Sequence, residues 1–217
     1  MTTYSLKQQT EALYAEYQQT LPKEVMAVID GATGRLVASG IGDRCLQKGD
    51  RIPMFELPDA LGIPVNIARL LERGPVVLSF YRGGWCTFCN LELKALRDSL
   101  DEIRARGAEL VAVTPQKPEG TAQTIAEHGL TFPVLTDHDN HVARSFGLAF
   151  AVDEALRPIY ENLLKLNIPV ENGVLSYELP VTATYVVARD GGIIAAFTDP
   201  NFANRMDPCD VVAAIPR

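Results

Sequence analysis

The stretch Val76-Val77-Leu78-Ser79-Phe80-Tyr81-Arg82-Gly83-Gly84-Trp85 leads directly into Cys86-Thr87-Phe88-Cys89 and on to Asn90-Leu91-Glu92-Leu93. Its first six residues are mostly apolar, with the β-branched and aromatic side chains of a buried strand. The Gly83-Gly84 pair breaks that strand with a turn. Beyond the turn, Cys89, Leu93, Leu96, Leu100 and Ile103 step by four, three, four and three, which puts them on one face of a helix. A strand, a glycine turn and two thiols at the mouth of a helix are the parts of a dithiol redox site.

The spacing has a chemical reason. The first amides of a helix lack intrahelical partners and carry the positive end of the dipole, so a sulfur there is stabilised as the thiolate that attacks disulfides and peroxides. Two intervening residues bring the second sulfur round by about one turn, where it can resolve a mixed disulfide or a sulfenic acid. On periodicity Cys89 points inward. Cys86 precedes the buried face beside Trp85, which makes it the more exposed and attacking sulfur. The competing reading of Cys-x-x-Cys is half of a zinc site, which needs two further ligands with local spacing. Cys45, Cys209, His128, His138 and His141 are scattered singly, so the redox reading is preferred. No cofactor or metal is implied.

The chain has 217 residues and a formal net charge of -7, which argues against a nucleic-acid surface or anionic lipid as partner. Residues 1–20 hold no apolar core of signal-peptide length, and no later run approaches a membrane span. A cytoplasmic, reducing location is therefore expected, and it suits a cycling dithiol.

Leu6, Leu13, Tyr14, Tyr17 and Leu21 mark a first helix, and a second spans 23–38 despite Gly31 and Gly34. Residues 1–43 are thus an N-terminal helical extension, packing on the body or offering a homodimer contact, and 44–217 form an α/β body. There, strands are expected at 55–57, 76–81, 110–114, 134–135, 185–187 and 193–197. Helices are expected at 67–71, from Cys86 to 106 without a break, at 121–128, 141–146, 152–166 and 207–215. Strand-helix-strand order predicts a parallel pair, and Asp190-Gly191-Gly192 predicts an antiparallel hairpin.

The block Gly49-Asp50-Arg51-Ile52-Pro53-Met54-Phe55-Glu56-Leu57, the strand and dithiol segment, Ala183-Thr184-Tyr185-Val186-Val187 and Arg189-Asp190-Gly191 resemble the peroxiredoxin-like branch of the alkyl hydroperoxide reductase/thiol-specific antioxidant family. The resemblance covers residue 44 to the C-terminus. It implies a thioredoxin-like fold, a mixed central sheet flanked by helices, and thiol-dependent redox chemistry. The family pattern Pro-x-x-x-Thr-x-x-Cys places Arg82 at the proline, Cys86 at the threonine and Cys89 at the peroxidatic cysteine, with Glu92 at the family's glutamate. The arginine that opens a later strand in the family falls on Thr182, and Pro180 reads as a loop proline.

The resemblance makes Cys89 the attacking sulfur, whereas helix-end physics favours Cys86. Arg82 is a candidate to stabilise a thiolate in place of the missing arginine. Trp85 and Phe88 read as hydrophobic walls. The expected activity is a thiol peroxidase that reduces hydrogen peroxide or organic hydroperoxides through Cys86 and Cys89 and is recycled by thioredoxin or a similar dithiol. The alternatives are a thiol-disulfide oxidoreductase acting on disulfides, and a redox-sensing module without turnover.

Overall fold

The computed structural model describes residues 5–216; the first four residues of the predicted extension lie outside them. The chain opens on α1 (Leu6–Thr20), whose N-cap Ser5 forms a reciprocal capping box with Gln8. Next come α2 (Lys23–Ala38) and the single turn α3 (Ile41–Arg44). The apolar face of α1 packs on the body: Leu6 is buried, and Leu13, Tyr14 and Tyr17 lie against the core.

The ribbon β1 (Glu56–Pro58) and β2 (Pro64–Asn66) leads into α4 (Ile67–Arg73), capped by the Asn66 side chain on the amides of Ala68 and Arg69. Then follow β3 (Val76–Phe80), α5 (Thr87–Asp98), α6 (Leu100–Ala105), β4 (Glu109–Thr114), α7 (Pro118–His128), β5 (Val134–Thr136) and α8 (His141–Ser145). The last part holds β6 (Ala149–Ala151), α9 (Ile168–Asn172), β7 (Glu178–Pro180), β8 (Ala183–Val187), β9 (Ile193–Thr198) and α10 (Pro208–Ala214). The main sheet has five strands in the order β5-β4-β3-β8-β9. β3 runs parallel to β4 and antiparallel to β8, with Val77 opposite Leu110 and Val186.

β3 is the central strand, and its pleat explains the two-sided core. Val76, Leu78 and Phe80 face one cluster with Phe146, Tyr185 and Leu148. Val77 and Tyr81 face the other, which takes the stripe Cys89, Leu93, Leu96, Leu100 and Ile103 from α5 and α6. The active-site turn thus emerges where the middle of the sheet meets a helix whose whole inner face is buried.

Three expectations are corrected. The helix expected without a break to 106 is divided at Ser99, whose φ/ψ of -97° and 4° closes α5 while leaving Leu100 and Ile103 in the core. The helix expected over 152–166 is shorter and irregular: a 3₁₀ turn at Glu154–Leu156 runs on through Arg157 and Pro158, both helical in φ/ψ, into a π turn at Ile159–Leu163. Pro180 is no loop residue: it closes β7 opposite Ala149 in a two-stranded ribbon that periodicity did not reveal. Among the described residues no helix is long and apolar enough to cross a membrane.

Candidate active site

Cys86 is the N-cap of α5, and its Sγ accepts the Cys89 amide at 3.4 Å. The turn ahead of it is fixed from three sides. The Cys86 amide bonds the Gly83 carbonyl at 3.1 Å. Gln116 Oε1 accepts the Gly84 amide at 2.8 Å, and Asn90 Nδ2 donates to the Gly84 carbonyl at 2.7 Å. Gly84 is required by close approach, since a Cβ there would stand 2.0 Å from Thr124 Oγ1.

The two sulfurs lie 2.8 Å apart, with the Cys89 thiol donating to the Cys86 Sγ. Arg82 Nη2 donates to the same sulfur at 3.1 Å. Burial alone would push both thiols up. For Cys86 that effect is outweighed by the Cys89 hydrogen bond and the positive charges of Arg82 and Arg205, which hold it well below the ordinary thiol range. Cys89 moves the other way: burial, its hydrogen bond to Cys86 and the neighbouring thiolate keep its proton on, against the pull of Arg205 and Arg82. The pair therefore carries one thiolate and one thiol, with the negative charge on Cys86. The expected exposure of Cys86 is only partly met, at 4% against 0% for Cys89. What separates them is that Cys86 borders a cavity of about 500 Å³, whereas Cys89 is sealed in the core.

Around Cys89 stands a group that sequence reasoning missed. Arg205, 6% exposed, donates to Glu92 Oε2 through Nη1 and to Cys89 Sγ through Nη2 at 3.5 Å. The other oxygen of Glu92 accepts the Thr184 hydroxyl at 2.9 Å. The Phe202 carbonyl holds the guanidinium from behind, at 3.0 Å from Nε and 2.8 Å from Nη2. Glu92 was singled out from the resemblance alone; its physical task here is to anchor Arg205. The cation expected at the head of β8 is thus supplied from the loop before α10. Thr182, which occupies the expected place, is a buried cavity-lining residue.

Trp85 packs edge-to-face on Tyr160 at 5.8 Å, and Phe88 on Tyr17 and Phe202 at 5.7 and 5.2 Å. The Arg82 guanidinium lies 4.8 Å from the Phe202 ring centroid and 5.5 Å from that of Trp85, so aromatic faces as well as the thiolate hold it. The remaining cysteines stand apart: Cys45 is buried against the carbonyls of Ile41 and Gly147, and Cys209 is exposed on α10. His138 and His141 are exposed and His128 is half-buried, away from the dithiol.

A mixed sheet that delivers a capped dithiol to the start of a buried helix defines a thioredoxin-fold thiol protein. The comparisons narrow the class. The AhpC/TSA family profile matches residues 48–196, and the chain belongs to this family. A putative peroxiredoxin of Mycobacterium tuberculosis is 30% identical over 151 residues, covering 70% of this chain and 84% of the relative. Peroxiredoxin Bcp of Escherichia coli is 31% identical over 103 residues, 48% of this chain and 65% of its own. Among solved structures, peroxidoxin BcpB of Mycobacterium tuberculosis superposes with a TM-score of 0.61 at 23% identity, over 78% of this chain and 96% of that one. Peroxiredoxin Q of Xanthomonas campestris superposes at 0.57 and 18% identity, over 74% and 89%. Both establish the shared fold.

Proposed function

We propose that the protein is a thiol peroxidase in which Cys86 attacks and Cys89 resolves. The Cys86 thiolate attacks the terminal oxygen of a hydroperoxide; the S–O bond forms, the O–O bond breaks, and the leaving alkoxide takes a proton to become the alcohol. Cys89 then loses its proton and attacks the Cys86 sulfenic sulfur, forming the S–S bond and expelling hydroxide, which leaves as water. A dithiol reductant returns both sulfurs to the reduced state by exchange and is itself oxidised to a disulfide.

The observation that carries this assignment is that Cys86 alone of the pair meets the cavity, with Arg82 bound to its sulfur at 3.1 Å. Arg205 gives Cys89 a matching cation, suited to stabilising the second thiolate once Cys86 is oxidised and its competing charge is gone. The test is to add one equivalent of hydroperoxide to Cys89→Ser and to Cys86→Ser proteins and locate the oxygen. Sulfenic acid at Cys86 in the first, with no fast oxidation in the second, is the expected pair of results.

Burial weighs against the disulfide-exchange reading. In-line attack on a protein disulfide requires two folded surfaces to bring three sulfurs together, and a sulfur 4% exposed at the end of a cavity cannot offer that approach without local opening. A small hydroperoxide group can reach Cys86 through the cavity without that opening, whereas exchange with a protein disulfide must wait for it. We assign recycling to thioredoxin or a similar dithiol, which reaches the Cys86–Cys89 disulfide when the turn opens, and we place the cycle in a reducing, cytoplasmic compartment. We also assign residues 1–43 to an extension that serves the 44–217 body. The Tyr17 hydroxyl hydrogen-bonded to Thr87 Oγ1 at 2.5 Å supports this, because Thr87 is the first residue of the active-site helix.

A further inference from the structure

We propose that the cavity over Cys86 is a binding site for large apolar hydroperoxides, walled on one side by the N-terminal helices, and that the enzyme turns these over in preference to hydrogen peroxide; this rests on the peroxidase reading above. Size is the first argument. At about 500 Å³ the cavity falls within the range of small-molecule sites. Hydrogen peroxide is only slightly larger than water, which takes about 30 Å³, so a site built for it alone would be more than tenfold smaller.

Chemistry is the second. One wall is Ile29, Ala32 and Leu36 of α2, and the facing wall is Phe150, Ile159 and Leu163. Leu163 and its neighbour Leu164, which also borders the cavity, remain 46% and 55% exposed, an apolar rim that a long hydrocarbon would cover. Arg35 and Asp153, which also line the cavity, are paired with each other, and its buried polar side chains lie at the Cys86 end. Arg82 and Thr182, both at least nine-tenths buried, border the cavity there, and Arg82 Nε and Thr182 Oγ1 have no hydrogen-bond partner among the described residues. An apolar body with one oxygen-rich group fits this polarity, with its O–O bond brought to the Cys86 sulfur.

The origin of the wall is the third. α2 lies wholly before residue 48, where the family match begins, so this wall comes from outside the matched segment. It is tied to the facing segment by the Arg35 Nε to Asp153 Oδ2 ion pair at 2.7 Å. The chemical step is the one already described: the hydroperoxide is reduced to its alcohol, Cys86 is oxidised, and the dithiol reductant supplies the electrons.

The test compares kcat/KM for a long-chain fatty hydroperoxide, cumene hydroperoxide and hydrogen peroxide. It uses the unaltered chain, Ala32→Phe, which fills the cavity, and Leu163→Glu, which charges the rim at a site that tolerates polarity. In parallel, the unreactive long-chain alcohol is titrated into reduced protein and followed by the fluorescence of Trp85, the single tryptophan. The expected result is a preference rising with apolar size and saturable alcohol binding. Both variants should lower kcat/KM for the long-chain substrate by roughly tenfold or more relative to that for hydrogen peroxide. Equal kcat/KM for all three substrates without alcohol binding would overturn the cavity assignment and leave the peroxidase standing. Alcohol binding with no oxidation of Cys86 by any hydroperoxide would overturn the peroxidase and with it the proposed turnover.

Discussion

Arg205 and Glu92 form a buried ion pair across 113 positions of sequence, and the same guanidinium reaches Cys89 Sγ at 3.5 Å. Both side chains are nearly inaccessible, at 1% and 3%. Breaking such a pair leaves an uncompensated charge in the core, which costs about 3–5 kcal/mol. Arg205→Met is therefore expected to lower the unfolding free energy obtained from urea denaturation by an amount in that range, with a lower midpoint. The double variant with Glu92→Gln should recover part of the loss, because the amide is neutral and retains an acceptor for Thr184. A single variant that unfolds at the original midpoint would show that Arg205 does not stabilise Glu92.

Removal of Arg82 tests the thiolate. The Cys86 pKa is depressed on folding, so the thiolate is present at neutral pH and disappears only as pH falls through the depressed value; the stability it contributes is lost in the same direction. Arg82→Met takes away a hydrogen bond and a charge, and moves the pKa up toward the ordinary value of about 8.5. Oxidation by hydroperoxide should then slow at neutral pH, by roughly tenfold for each unit by which the new pKa exceeds the pH, and recover in alkali. A pH profile of the second-order rate measures this. An unchanged profile would remove Arg82 from the account.

The strand, the turn and the helix face were legible because each is written in adjacent residues: the apolar run of β3, Gly83-Gly84, and the spacing of Leu93, Leu96, Leu100 and Ile103. The dithiol was legible for the same reason, and so was Arg82, four positions from its sulfur. Arg205 was not. It lies 116 positions from Cys89 in an irregular loop, and nothing in Asn204-Arg205-Met206 marks it as buried. The alignment offered Thr182 because it compares position with position, whereas the cation reaches the site from elsewhere in the chain. The cavity was hidden likewise, since its walls come from α2 and from the irregular helical segment around Pro158, far apart in the chain.

The turn itself can be strained by one methyl group. A Cβ on Gly84 would collide with Thr124 Oγ1 at 2.0 Å and Thr124 Cβ at 3.1 Å. Gly84→Ala should cost about 1–3 kcal/mol through overpacking and displace Cys86, slowing hydroperoxide oxidation. Thr124→Ala in the same chain makes room and should restore much of both. Denaturation and single-turnover oxidation, run on the two proteins, check the pair; a Gly84→Ala protein of full stability and rate would refute it.

Burial of the dithiol also constrains its recycling. With Cys86 and Cys89 4% and 0% exposed, a protein reductant must await opening of the turn. Reduction of the oxidised protein by thioredoxin is expected to reach a plateau rate as thioredoxin is raised, set by that opening. Reduction by a small dithiol should rise to higher rates. Stopped-flow fluorescence of Trp85 distinguishes the two behaviours, and a thioredoxin rate that climbs linearly without limit would show that no opening is needed.

The central claim is that the thiolate at the cavity, Cys86, is the sulfur that meets the hydroperoxide. The direct measurement is peptide mass spectrometry of Cys89→Ser and Cys86→Ser proteins quenched within one turnover of a single equivalent of hydroperoxide. Oxygen on Cys86 in the first protein, and an unoxidised Cys89 in the second, is the predicted result. Rapid sulfenic acid formation on Cys89 in the Cys86→Ser protein would contradict it and make the sealed sulfur beside Arg205 the point of attack.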